Sequence, residues 1–329
     1  MLDVKPQIAN PPFAKERLGG LSNSPVSPWP HRLAVLLAWA TFPLLFIGGL
    51  VTSKGAGLAV PDWPTTFGYN MFLYPWSEMV GNILYEHSHR LVASFVGLLT
   101  IALALALWLR EPRAWLRWLG VTALLLVIAQ GILGGLRVVL LQHTLAVIHA
   151  CLAQAFFALT FGLALFTSPQ WHAESTETPI ADSGRLYRLG TITTALIYLQ
   201  IIFGAVLRHS GERLDAHLFV GGLVVLHVIL LILRVTKHPA AGLKLVRLAG
   251  ALGILLLVQL LLGVGSYFAK FTTLLRLPMD MIVLVTTTHL IVGALMLATS
   301  LALALRSYRL SDRARPAMEP NALKEQFST

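Results

Sequence analysis

Four histidines, His89, His149, His217 and His289, recur at spacings that could hold iron, and one carboxylate, Glu86, stands three residues before the first of them. All lie in or at the start of long apolar runs, where an ionisable side chain is costly and marks a functional site by default. Two imidazoles at similar depth on separate helices supply the axial pair of a six-coordinate iron in a flat macrocycle held between helices, so haem is the natural occupant. A zinc site would want three or four close nitrogen, sulfur or carboxylate ligands, and neither half of the chain plainly supplies them. A single such histidine could equally be bonding across helices with no ligand; four in register with a repeat weigh against that. Glu86 and His89 differ by about 60° around a helix and about 4.5 Å along it. They share a face, so a candidate general acid or base stands beside one candidate ligand. The i+4 spacing also lets Glu86 pair with Arg90. The second half has no matching acid: Leu214 occupies the equivalent position, and Asp215 is two residues before His217.

The remaining histidines carry less. His87 and His143 read as wet residues near an interface. His227 is about 80° off the face of His217 and about 15 Å deeper, which suits packing or support. His31, His172 and His238 fall in cytoplasmic segments and His209 in an outer loop beside Arg208, all without an assigned role.

These side chains must be positioned by membrane helices. With 56% hydrophobic and 12% charged residues and a mean hydropathy of +0.72, the chain has too little polar surface for a soluble globule. A hydrocarbon core about 30 Å thick requires roughly 20 apolar residues per helix. Eight segments qualify, approximately Leu33 to Val51, His89 to Leu109, Trp115 to Gly135, Thr144 to Phe166, Leu189 to Leu207, His217 to Leu233, Leu248 to Phe268 and Ile282 to Leu305. The expected fold class is an all-α polytopic membrane protein of eight transmembrane helices. The net charge of +10 does not form a nucleic-acid stripe, so no nucleic-acid partner is expected. With the N-terminus inside, 18 of the 25 Lys and Arg fall on one side, which the positive-inside rule makes cytoplasmic along with both termini. The single cysteine, Cys151, excludes an intrachain disulfide and a CxxC site. The proline-rich first thirty residues lead into a spanning run with no cleavage pattern and lack transit-peptide composition, so a bacterial plasma membrane is expected.

A repeat organises the spans. Gly48 to Gly55 at the end of the first matches Gly204 to Gly211 at the end of the fifth, and Gln130/Gly134 in the third is echoed by Gln259/Gly263 in the seventh. An even number of spans per half makes the repeat parallel. His89 then corresponds to His217 and His149 to His289, all on even-numbered spans in the outer half of the membrane.

These residues resemble the haem A synthase family over about Leu33 to Leu305. The resemblance is carried by Glu86-His-Ser-His-Arg90, by Ala56-Gly-Leu-Ala-Val-Pro-Asp-Trp-Pro64 in the first outer loop, by the Gln130 to Gly135 segment and by the histidine in each even-numbered span. It implies two parallel four-helix bundles, with residues 33–167 holding substrate haem O between His89 and His149, and 189–306 holding cofactor haem b between His217 and His289. Residues 1–32, 168–188 and 307–329 become a cytoplasmic tail, linker and tail. The implied reaction oxidises the C8 methyl of haem O to a formyl group by successive hydroxylations, giving haem A for terminal oxidases, with Glu86 as the catalytic carboxylate. The implied partners are membrane lipid, a haem O synthase, an electron-transfer protein and a second copy in a homo-oligomer. Two departures stand out. Positions where many relatives have an outer-loop cysteine pair match Val60 and Thr66, and the corresponding second-half loop is only Arg208 to Ala216. The rival readings are a diheme b-type electron-transfer cytochrome and a haem transporter or chaperone. Four ligands on four helices at one depth argue against the first, and Glu86 without a second-half partner argues against the second.

Overall fold

A computed structural model describes residues 27–172, 183–237, 242–274 and 277–313. Most of both tails, residues 173–182 of the linker and His238 lie outside the described residues. The helices are α1 (Trp29–Ser53), α2 (Asn82–Arg110), α3 (Ala114–Leu140), α4 (His143–Phe166), the short α5 (Pro169–His172), α6 (Ser183–Ser210), α7 (Leu214–Thr236), α8 (Gly242–Phe271) and α9 (Met279–Arg313). Among the described residues, all but α5 are long and apolar enough to cross a membrane, which gives eight spans, and there is no strand. The chain is a multi-pass membrane protein. Large side chains such as Trp39, Leu98, Leu125, Leu226 and Ile254 lie exposed along the spans, as lipid-facing positions must.

The helices outrun the apolar runs that announced them, because a helix continues through the interface once its polar groups find partners. α2 begins at Asn82, seven residues before the expected start, and so takes Glu86, His89 and Arg90 into one helix. α6 runs to Ser210, which places His209 in its last turn rather than in a loop and cuts the following connection to residues 211–213. Positive φ at Gly211 (76°) and Arg213 (65°) turns the chain sharply enough for so short a link.

Packing follows the repeat. In the first half α1 packs on α2 and α4, and α3 on α2 and α4, closing a ring of four. In the second half α6 packs on α7 and α9, and α8 on α7 and α9. The halves meet through α1 against α9, α4 against α6, and α4 against α9. Since α1 corresponds to α6 and α4 to α9, the first two contacts are equivalent and the third is self-paired, as a pseudo-twofold axis along the membrane normal requires.

Each bundle has an apolar core at the end away from the loop of residues 54–81. One contains Leu37, Val96, Leu103, Leu107, Leu116, Phe156 and Leu163; the other contains Leu186, Val224, Leu231, Leu245, Leu252, Met296 and Leu303. Val96, Phe156, Val224 and Met296 each lie seven residues beyond one of the four histidines, on the same face two turns along. The packing of these two clusters therefore begins about two turns below the imidazoles.

Candidate functional site

The four histidines sit on α2, α4, α7 and α9, and each ring lies against a glycine of a neighbouring helix. A Cβ added at Gly48, Gly134, Gly204 or Gly263 would come within 3.1, 3.3, 3.2 or 3.2 Å of Cε1 of His89, His149, His217 or His289 respectively. The repeat thus specifies a small residue on each odd-numbered span as the rest for an imidazole on the next span. Every ring is partly accessible, yet its Nδ1 is buried without a hydrogen-bond partner. A buried polar nitrogen left unpaired is costly, and its recurrence at four equivalent places marks groups shaped for a ligand.

The second pair is the better defined. The rings of His217 and His289 face each other with centroids 6.4 Å apart and planes at 67°. Two metal–nitrogen bonds of about 2 Å each, plus the two ring half-widths, come close to that separation. The residues present therefore fit an iron porphyrin, which His217 and His289 would hold between α7 and α9. In the first pair His149 and Arg137 are electrostatic neighbours of His89. No cluster of three or more His, Cys, Asp or Glu suited to a metal ion occurs among the described residues.

Glutamines border three of the four rings. The Gln130 side-chain amide donates to the carbonyl of His149 (3.2 Å), while the amide nitrogens of Gln200 and Gln259 lie 3.3 and 3.4 Å from Nε2 of His217 and His289. Each precedes its glycine by four residues. Gln200 extends the pattern seen at Gln130 and Gln259 and was readable as Gln200-x-x-x-Gly204; the fourth such position is Leu44.

Glu86 is 4% exposed. One carboxylate oxygen accepts from the Val60 backbone N–H (3.0 Å) and the other from Arg90 Nη2 (2.9 Å), so the i+4 ion pair foreseen as the alternative is formed. Arg90 also donates to the carbonyls of Val60 (3.0 Å), Asp62 (2.7 Å) and Thr65 (3.0 Å). The pair therefore ties the first outer loop across the top of its bundle. Asp62 completes the tie by accepting from the Thr65 hydroxyl and from the backbone N–H groups of Phe67 and Gly68. Burial alone would raise the Asp62 carboxyl, but these hydrogen bonds outweigh it and bring it from 3.8 down to about 2. Trp63 closes on Gly135 so tightly that a side chain there would displace the indole, and the Arg137 guanidinium lies over Gly57.

Two expectations are corrected by this loop and by the packing of the halves. His87 is not wet: it is 1% exposed, its Nδ1 lies 3.2 Å from the Thr66 hydroxyl and Tyr74 packs on its ring. His209 is in the last turn of α6 and not in a loop, with Arg137, His143 and His149 of the first bundle as electrostatic neighbours. His227 bonds the Leu223 carbonyl of its own helix at 2.9 Å, and His31 lies 3.3 Å from the Thr167 hydroxyl. Val60 and Thr66 are both fully buried, with the Val60 N–H on Glu86 and the Thr66 hydroxyl on His87.

Residues 31–219 match the model of the cytochrome oxidase assembly protein family COX15-CtaA. The match takes in α1 to α6 and the start of α7, hence Glu86, His89, His149 and His217, and stops short of His289. The chain is 32% identical over 187 residues to the heme A synthase of Shouchella clausii (strain KSM-K16), covering 56% of this chain and 60% of that one. It is 29% identical over 188 residues to the heme A synthase of Alkalihalophilus pseudofirmus, covering 55% and 60%, and 30% identical over 188 residues to that of Exiguobacterium sibiricum, covering 55% and 61%. The matched stretch thus spans about three fifths of each of these relatives.

Proposed function

Since this chain belongs to the COX15-CtaA family of cytochrome oxidase assembly proteins, we propose that it is a haem A synthase of a bacterial plasma membrane, an oxidoreductase acting on a CH group. Substrate haem O occupies the first bundle between His89 and His149, and a haem b occupies the second between His217 and His289. The C8 methyl of haem O is hydroxylated twice with oxygen taken from water and then loses one water to become a formyl group; four protons are released and the four electrons pass to an electron-transfer partner outside this chain.

One observation carries this reading: two equivalent imidazole pairs rest in glycine cradles, and among the described residues only the first has a buried carboxylate one helical turn from a histidine. Bound iron porphyrin supplies the redox chemistry. The chain's own residues bind, orient and enclose. His89 and His149 would hold the substrate, with Gly48 and Gly134 making room for their rings. Glu86 is held in place by Arg90 and by the Val60 N–H, one helical turn from His89, where a carboxylate can stabilise a cationic carbon or take up a proton. The loop tied down by Arg90 and Asp62 covers that carboxylate and excludes water.

The test is pigment analysis of membranes in which the chain is co-expressed with a haem O synthase. Haem A or its hydroxylated precursor is expected. Recovery of only haem B and haem O would leave a haem-binding or electron-transfer protein.

A further inference from the structure

His87 is buried on the side of α2 that faces away from its bundle. It precedes His89 by two residues, so the two side chains leave the helix about 160° apart. The His89 face is the interior one, since Val96, seven residues on, belongs to the apolar core. The His87 face is the outer one. Leu98, eleven residues on and about 20° away, is exposed among the lipid-facing side chains, and α2 packs on α1 and α3 to either side. What buries His87 there is the outer loop, through the Thr66 hydroxyl and through the Tyr74 ring, whose centroid lies 5.1 Å from that of the imidazole. The loop therefore does more than cap its bundle: it wraps over the edge of α2 onto the surface that faces lipid.

The depth of that wrap follows from helix length. The 29 residues of α2 measure about 43 Å, which matches a bilayer with its headgroups, about 40–45 Å thick. His87 is five residues, about 7 Å, in from the outer end of the helix. Tyr74 and its neighbours consequently sit at headgroup depth. Those neighbours are apolar and bare. Leu73 is 76% and Trp76 78% exposed, with Phe72 exposed beside them, while Tyr74 and Met79 are buried. The chain is nonetheless held in shape there, because Asn70 caps a short 3-10 turn over Met71–Leu73 and Pro75 leads into a second over Trp76–Glu78. No charged residue stands between Asp62 and Glu78, and Glu78 lies about 120° from Trp76 around the second turn. Large aromatic and aliphatic side chains at this depth suit the boundary between headgroups and acyl chains, where tryptophan is enriched.

We propose that Phe72, Leu73 and Trp76 form a lipid-binding strap, which inserts into the outer leaflet beside α2 and pins the loop that covers Glu86. The strap lies between the Asp62 and Thr65 carbonyls, which Arg90 ties down, and the start of α2, so lipid holds the loop from the far end of that tie. The inference uses only the spans and the loop, and it holds whatever ligand the histidines take.

The experiment places the full-length chain, in a Cys151→Ser background, in nanodiscs of phosphatidylethanolamine and phosphatidylglycerol, with a nitroxide at Leu73→Cys or Trp76→Cys. Leu98→Cys is the lipid reference, and Glu212→Cys, on the exposed turn before α7, is the aqueous one. Relaxation by dissolved oxygen, which concentrates in the bilayer, is compared with relaxation by a neutral nickel chelate, which stays in water. Labels at 73 and 76 are expected to favour oxygen, as at 98, at a depth of about 5–10 Å. A preference for the nickel chelate, as at 212, would put the strap in water and overturn the inference. Exclusion of both reagents would mean that protein covers the patch, and would overturn it too. The pinning is read separately. Leu73→Ser/Trp76→Ser should speed amide exchange of Phe67 and Gly68 in nanodiscs about tenfold, because two large side chains lose their apolar surroundings. Unchanged exchange would show that lipid does not hold the loop. The single labels decide the insertion if the double variant does not fold. Neither readout requires haem, so failure here leaves the proposed function standing.

Discussion

Glu86 has two attachments, and they separate what it does for the loop from what it does for chemistry. Its carboxylate bonds Val60 and Arg90, so removing it altogether disturbs the fold of the outer loop as well as the charge beside His89. Glu86→Gln keeps an oxygen to accept from Val60 and loses the charge. If the charge is what haem O oxidation needs, E86Q should retain both haem spectra and lose about 10²-fold or more in haem A formation, the usual scale for a lost acid or base. His217→Ala should instead remove the haem b spectrum preferentially. Near wild-type haem A yield from E86Q would reduce Glu86 to a loop anchor. Glu86 was recognisable in the sequence because of its spacing from His89, but its tie to Val60 was not, since 26 residues separate them.

At the scale of elements, the odd-numbered spans act as walls whose glycines set the distance to the imidazoles. Filling one wall should close the site without disturbing the helix. Gly263→Leu places a side chain where even a Cβ would lie 3.2 Å from the His289 ring. It should abolish haem b binding while far-UV circular dichroism stays unchanged, because overpacking of this kind is a local cost of about 1–3 kcal/mol. Full haem occupancy in G263L would show that the ring has another resting place. The outer loop makes a pH prediction of its own. Asp62 is held at about 2, below its unfolded 3.8. Its contribution to closing the loop is therefore fully present above about pH 4 and lost as pH falls through its folded value. Hydrogen exchange of Phe67 and Gly68, corrected for intrinsic rates, should stay protected from neutral pH to about pH 4 and open only below it. In Asp62→Ala the protection should be missing at every pH. Opening of the wild-type loop near pH 6 would point to a different group.

At the scale of the molecule, the two bundles pack about a pseudo-twofold axis, and α9, which packs on α6, α8, α1 and α4, is the most enclosed span. The polar contacts of Arg208, Ser53, Thr286 and Thr287 cross that interface at the end where the histidines lie. The orientation expected from the charge distribution puts this end outside the cell. In a Cys151→Ser background, a membrane-impermeant maleimide applied to intact spheroplasts should label Asn70→Cys and spare Arg110→Cys; the opposite pattern would invert the topology.

Hydrophobic length, charge asymmetry and the duplicated Gly, Gln and His positions are local properties of the chain, so the amino-acid sequence by itself determined eight spans and the equivalence of the two sets, and singled out four imidazoles and one carboxylate as candidates. Three things depended on which helices touch. His87 became a buried bond to the loop because the 54–81 segment folds back over α2. His209 came to have charged groups of the first bundle as neighbours because α6 packs on α4. Arg208 lost any acidic partner because its neighbours on α1 and α9 are carbonyls and hydroxyls. Contacts between residues distant in the chain are decided by packing and loop closure, and no spacing along the sequence encodes them.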